Sequence, residues 1–141
     1  MPQKHLNQNI ILSADSTCDL SEELKERYHV TYFPLHINLN GKDYLDNVDI
    51  TPEEVYQEYY DHKVLPKTSA VNVQEYVEHF RPWVEQGYEV IHVNIGHALS
   101  SSYQNCCLAA RELGHVHVID SCSLSTGTGL TVVAAGKMIA R

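Results

Sequence analysis

The side chains able to do chemistry gather in four segments: Asp15–Asp19, Pro66–Ala70, Gly96–Ser102 and Asp120–Gly127. All four are rich in Ser and Thr, whose neutral hydroxyls can donate to a small anion. The run Leu99-Ser100-Ser101-Ser102-Tyr103-Gln104 is the densest. It places three hydroxyls in the first turn of an expected helix, where free backbone N–H groups and the positive end of the helix dipole meet. Simple N-capping needs one serine, so the others are available to a carboxylate or phosphate. Thr68-Ser69 supplies a second hydroxyl pair. If both segments reach one sheet edge, together they could grip an anionic head group without Lys or Arg.

Other chemistries are poorly supported. A metal-dependent phosphotransferase aspartate wants a second carboxylate two residues on, whereas Asp15 and Asp19 stand four apart. Asp15 and Ser16 therefore read as closing an Asx-type turn ahead of a helix. The nine histidines and four cysteines include no His-x-x-x-His or Cys-x-x-Cys, so no metal ligands are expected. His115 and His117 read as a solvated strand face, and Cys122 beside Asp120 lacks a nucleophile signature. Without a Gly-x-Ser-x-Gly elbow or a glycine-rich phosphate loop, a serine hydrolase and a nucleotide site are both disfavoured, and no catalytic residue is assigned. Eighteen acidic against ten basic residues, a formal charge of −8, argue against a nucleic-acid binder. No apolar run is long enough for a membrane span. The polar start, Met1 to Asn9, lacks a signal-peptide core, and the cysteines lack framework spacing. A reduced, cytoplasmic protein is expected.

The elements that must position these segments alternate in type. Ile10-Ile11-Leu12-Ser13, ending at Asp15, reads as a buried strand, and Tyr88–Ile95 and His115–Ile119 as two more. Between them lie helices expected over Ser21–Arg27, Pro52–His62, Val73–Gln86, Leu99–Leu113 and Thr128–Ala140. Thr51-Pro52-Glu53-Glu54 is a capping box with proline at the first helical position. Thr31–Leu39 reads as one strand near a sheet edge, because Pro34 lacks a ladder donor. Asn40-Gly41 then turns it into a small hairpin with Lys42–Leu45. Leu65–Ala70 reads as a loop. The pattern predicts a three-layer α/β/α domain with a mostly parallel central sheet and a β-hairpin excursion near residues 31–45. Sites in such sheets lie beyond the carboxyl ends of the strands, which is where three of the four segments fall.

Taken together, Asp15-Ser16-Thr17-Cys18-Asp19-Leu20, Pro66-Lys67-Thr68-Ser69, Leu99-Ser100-Ser101-Ser102-Tyr103-Gln104 and Asp120-Ser121 resemble the DegV family of bacterial fatty-acid-binding proteins. The resemblance runs nearly the whole chain and covers the amino-terminal domain of that family, so residues 1–141 are expected to form one such domain, with the family's second domain absent from the chain. It implies a non-catalytic protein whose fatty acid lies between two domains. Carried over by position, Thr68 and Ser100 would bind the carboxylate, with Ser69, Ser101, Ser102, Asp15 and Ser16 in support. The implied ligand is a long-chain fatty acid, without cofactor or metal. The implied partner is a fatty acid kinase that makes acyl phosphate for phospholipid synthesis. The chain departs from the family pattern at Ser101, where glycine is usual, and at Ala70-Val71, where Gln-Pro is usual.

Two other classes remain: an enzyme acting on a small phosphate or carboxylate through Asp15 or Cys122, and a protein-interaction module without a ligand. Two structural expectations separate them from the lipid reading. The Thr68 and Ser100 hydroxyls should face one cleft within about 8 Å, since both must reach one head group by ordinary hydrogen bonds. The last helix ends without a Gly or Pro stop signal. That predicts half of a binding protein, with an apolar surface around Thr68, Ser100 and the Tyr-rich helix Pro52–His62 that pairs with another copy or a missing carboxy-terminal domain.

Overall fold

The computed structural model describes residues 9–140, so Met1–Gln8, with most of the polar start, and Arg141 lie outside it. The main sheet is fully parallel, with strands in the order β2 (Val30–Phe33), β1 (Ile10–Asp15), β6 (Glu89–Asn94), β7 (Val116–Asp120). Its connections carry α1 (Glu22–Arg27), α3 (Val73–Glu85) and α4 (Ser102–Leu113), and α5 (Thr126–Ile139) follows β7. Side chains alternate across a strand, and the core accordingly divides in two. Ile11, Val90 and Val116 pack with Tyr76, Val77 and Phe80 of α3 and with Cys106 and Ala109 of α4. Leu12, Ala14 and Val93 pack on the opposite face with Val132 of α5. These are the three layers expected.

A second sheet is inserted between β2 and α3. It is antiparallel, in the order β4 (Lys42–Leu45), β3 (His36–Leu39), β5 (Lys67–Ser69), and α2 (Pro52–His62) belongs to the same excursion. Thr31–Leu39 is therefore two strands in two sheets rather than one. The chain breaks at Pro34, which can neither donate to a ladder nor leave its neighbour free to adopt any conformation. Asn40 and Gly41 have φ of 54° and 81°, the pair of positive values that a two-residue turn requires, and Leu39 faces Lys42 across it. The expected Leu65–Ala70 loop contains a strand, β5, with Thr68 opposite Ile37. Leu99–Ser101 precede the helix, so α4 starts three residues later than the hydroxyl run suggested.

Three contacts fasten the small sheet to the rest. Ser16 Oγ donates to Asp46 Oδ2 (2.6 Å) and accepts from the Leu35 N–H (3.1 Å). His36 pairs with Glu75 in the first turn of α3. Both α2 and α3 open on complete capping boxes, Thr51/Glu54 and Asn72/Glu75, which fix where each helix begins.

Candidate functional site

The hydroxyl segments meet through the backbone of Val71. Ser102 Oγ accepts from the Val71 N–H (3.1 Å), and Asn105 Nδ2 donates to the Val71 carbonyl (2.8 Å). The first turns of α4 thereby clamp both polar groups of the residue that follows β5. Ser102 is buried and receives a further bond from Ser100 Oγ (3.0 Å), while Ser100 Oγ accepts from the Ser102 N–H (3.1 Å). Thr68 lies three residues before the clamp and Ser100 two residues before it. A three-residue extended span covers at most about 10 Å, so the clamp holds the two segments in one neighbourhood. Thr68, Ser69 and Ser101 are exposed and Ser100 is half-buried. The Thr68 hydroxyl and that of Ser101, which occupies the N-cap position without capping, have no partner among the described residues. Lys67 lies on the other face of β5 from Thr68.

The supporting residues divide sharply. Ser69 and Ser101 stand at the exposed rim beside Thr68 and Ser100. Ser102 serves the clamp, and Ser16 serves the small sheet. Asp15 is fully buried and closes no Asx-type turn, because its side chain makes no cap bond. It points inward instead. Oδ1 accepts from the Tyr76 hydroxyl (3.0 Å) and meets His92 Nε2 (3.0 Å), and Oδ2 accepts from the Ile95 N–H (2.9 Å). His92 Nδ1 meets Ser13 Oγ (2.8 Å), which also meets His79 Nε2 (3.0 Å), and Asn94 Nδ2 donates to the Tyr76 oxygen (3.0 Å).

Sequence reasoning did not single out Ser13, Tyr76, His79, His92 or Asn94. The available signal was the polar interruption of strands otherwise apolar, since strands covered on both faces normally read as unbroken hydrophobic runs. Burial and the neighbouring His92 push the His79 pKa down to about 4. Burial also raises the Tyr76 hydroxyl well above its ordinary range, with Asp15 adding to the effect.

Beyond β6 and β7, His97 Nδ1 contacts Asp120 Oδ2, and the N–H groups of His97 (3.1 Å) and Cys122 (2.9 Å) both donate to Asp120 Oδ1. Partial burial works against ionisation of Asp120. The two backbone donors and the His97 ring outweigh it and hold its pKa below the usual value. Gly96 is obligatory here: a Cβ would stand 2.8 Å from the Ser123 backbone nitrogen. His115 and His117 do lie on the surface, and both pair with Glu89 (2.7 and 2.8 Å).

Two clefts of the described residues are lined without Thr68 or Ser100. One of about 460 Å³ lies between the small sheet and α2, and its Asp49, Glu54 and Glu58 lining opposes an anion. An apolar groove of about 280 Å³ runs between α1 and α5, past Leu20, Leu24 and Leu130. Thr68, Ser69 and Ser101 are instead exposed and Ser100 half-buried, next in sequence to Leu99 and close to Leu65, which are 57% and 70% exposed.

A three-layer parallel α/β domain with an inserted antiparallel sheet, presenting hydroxyls at its carboxyl edge, defines the class. The sequence profile described as "uncharacterised protein, DegV family" matches residues 9–141, and the chain belongs to the DegV family. A DegV domain-containing protein of Clostridium perfringens is 35% identical over 132 residues, covering 92% of this chain and 47% of its own length. Two solved structures are comparably similar. One is a fatty-acid-binding DegV family protein from Thermus thermophilus (34% identity, TM-score 0.83, 93% of this chain and 47% of that one). The other is a stearic acid-binding protein from Eubacterium ventriosum (35%, 0.82, 91% and 46%). The chain thus spans about half the length of these relatives. Among the described residues no helix is long and apolar enough to cross a membrane.

Proposed function

We propose that this chain binds a long-chain fatty acid, with Thr68 and Ser100 holding the carboxylate and Ser69 and Ser101 completing a hydroxyl rim. The observation that carries the reading is the pairing of the unpartnered Thr68 and Ser101 hydroxyls, beside a Ser100 hydroxyl that Ser102 holds in place, with unsheltered apolar side chains, Leu99 beside Ser100 and Leu65 three residues before Thr68. That combination suits a ligand with an anionic head and an apolar tail. The fatty acids bound by the Thermus and Eubacterium relatives support it. A chain of about 16 carbons offers on the order of 0.8 kcal/mol per buried methylene, roughly 12 kcal/mol gross, from which ordering costs remove a large share. The tail supplies affinity and the hydroxyls supply orientation. Local dipoles, including the amino end of α4, let an acidic protein hold an anion.

Burying the tail requires a closed pocket, and the open rim offers one wall. The second wall belongs to a further domain or a second copy of the chain. The protein then acts as a cytoplasmic carrier rather than a catalyst, presenting the carboxylate to a fatty acid kinase. Mass spectrometry of an organic extract of the purified protein tests the ligand directly: a co-purifying acyl chain is expected. Calorimetry tests the residues. Thr68→Ala with Ser100→Ala should weaken binding of a long-chain fatty acid tenfold or more, and unchanged affinity would remove both residues from the site.

A further inference from the structure

We propose that His97, Asp120 and Cys122 bind a zinc ion at the carboxyl edge of β6 and β7. This site does not depend on the fatty-acid reading. One ligand atom from each residue lies within 4.8 Å of the other two. The linear spacing conceals the cluster, because Asp120 ends β7 and Cys122 follows it, whereas His97 follows β6 and arrives from 23 residues away. Imidazole, carboxylate and thiolate form a donor set that suits zinc far better than magnesium or calcium, which take oxygen ligands. Zinc–ligand bonds of about 2.0–2.3 Å set tetrahedral ligand atoms roughly 3.3–3.8 Å apart. The widest ligand pair must therefore close by up to about 1 Å while the hydrogen-bonded His97–Asp120 pair opens, and the exposed His97 and Cys122 side chains can rotate to do so.

The scaffold holds the ligands from behind. Asp120 Oδ1 is occupied by the two backbone donors, which leaves Oδ2 aimed at His97 and the ion. Outer bonds of this kind orient metal ligands in known sites. Cys122 adopts a φ of 51°, an uncommon left-handed conformation for a residue with a side chain. The Gly96 N–H bond to the Ser123 carbonyl (2.9 Å) and the close approach at Gly96 anchor the loop beside it. Zinc would displace the proton of the Cys122 thiol to solvent and replace the His97–Asp120 contact. With three protein ligands and the His97 and Cys122 side chains open to water, the fourth position would hold a water molecule.

Cobalt and zinc titrations of the whole reduced, metal-free chain test the site. One equivalent of Co²⁺ should produce a thiolate-to-cobalt charge-transfer band with the visible bands of a four-coordinate ion, and zinc should bleach both. Cys122→Ser should abolish the charge-transfer band. In competition with a chromophoric chelator, Cys122→Ser and His97→Gln should each weaken zinc binding tenfold or more, whereas Cys107→Ser should not. Circular dichroism of each metal-free variant checks that the fold persists. The proposal is overturned if the parent chain gives no charge-transfer band, or if the band survives Cys122→Ser. It also fails if zinc binding is lost in His117→Gln and retained in His97→Gln, which would place the ion at Glu89, His115 and His117 instead.

Discussion

Two polar clusters, one inside the main sheet and one shared by β5 and the loop before α4, use their hydrogen bonds in opposite ways. The inner one, built on Asp15, Tyr76, His79, His92, Ser13 and Asn94, is buried apart from the half-buried His79, and most of its polar atoms have partners; Asn94 Oδ1 is buried without one. The outer one, Thr68, Ser69, Ser100 and Ser101, leaves hydroxyls facing solvent. Residue type does not separate them, since serine occurs in both. Burial does. An interior polar group without a partner costs far more than an exposed one, so the interior spends its capacity on the scaffold and the rim keeps capacity for a ligand.

The contrast can be broken at four points, of decreasing expected size. Asp15→Ala leaves the Tyr76 hydroxyl, the Ile95 N–H and His92 without an acceptor in the core. A loss of about 3–5 kcal/mol in urea denaturation is expected, and a loss below about 1 kcal/mol would show the inner cluster to be dispensable.

Acid tests the same cluster through His79. Its folded pKa, about 4, lies below its unfolded value near 6.5. Between those two pH values the unfolded chain binds more protons, so stability falls as the pH drops through this window. The expected slope is about 1.4 kcal/mol per pH unit, reaching roughly 3 kcal/mol. Thermal melts from pH 7 to 4.5 should show it, and His79→Gln should flatten the dependence.

Ser102→Ala leaves the buried Val71 N–H unsatisfied and should cost about 1–3 kcal/mol in stability. It should also weaken ligand binding, because it frees β5 from α4. Smallest in stability is the rim itself. Thr68→Ala should change the unfolding free energy by no more than about 0.5 kcal/mol, and adding Ser100→Ala, which removes the bonds to Ser102, by about 1 kcal/mol, while the double variant lowers affinity tenfold, about 1.4 kcal/mol. A double variant that unfolds readily would erase the distinction between rim and scaffold.

Much of the fold was legible because its signals are local. The capping box at Thr51, the Asn40-Gly41 turn and the apolar runs at Ile10 and Tyr88 each act within a few residues. What escaped depends on distant partners. Lys67-Thr68-Ser69 carries no strand pattern, and it becomes β5 only because β3 lies beside it. The Pro34 break separates two sheets, a fact available only once both sheets exist. Thr68 and Ser100 are candidates by resemblance, whereas the clamp that brings their segments together, Ser102 and Asn105 on Val71, shows only in three dimensions. His79 and His92 were hidden differently: helical and strand periodicity count them as spacing, and only their burial makes them informative.

The order of strands in the main sheet also bears on how the chain folds. β1 sits at the centre, yet one of its neighbours, β6, comes late: Ser13 and His92, bonded in the interior, stand 79 positions apart. Closing so long a loop must precede the contacts that reward it. The β3–β4 hairpin can form at once from adjacent residues, whereas β1 waits for two-thirds of the chain. During synthesis the first apolar strand therefore emerges with one flank uncovered, and Asp15 has no histidine to meet until residue 92 has left the ribosome. The centre of the molecule is completed only once β6 has been made.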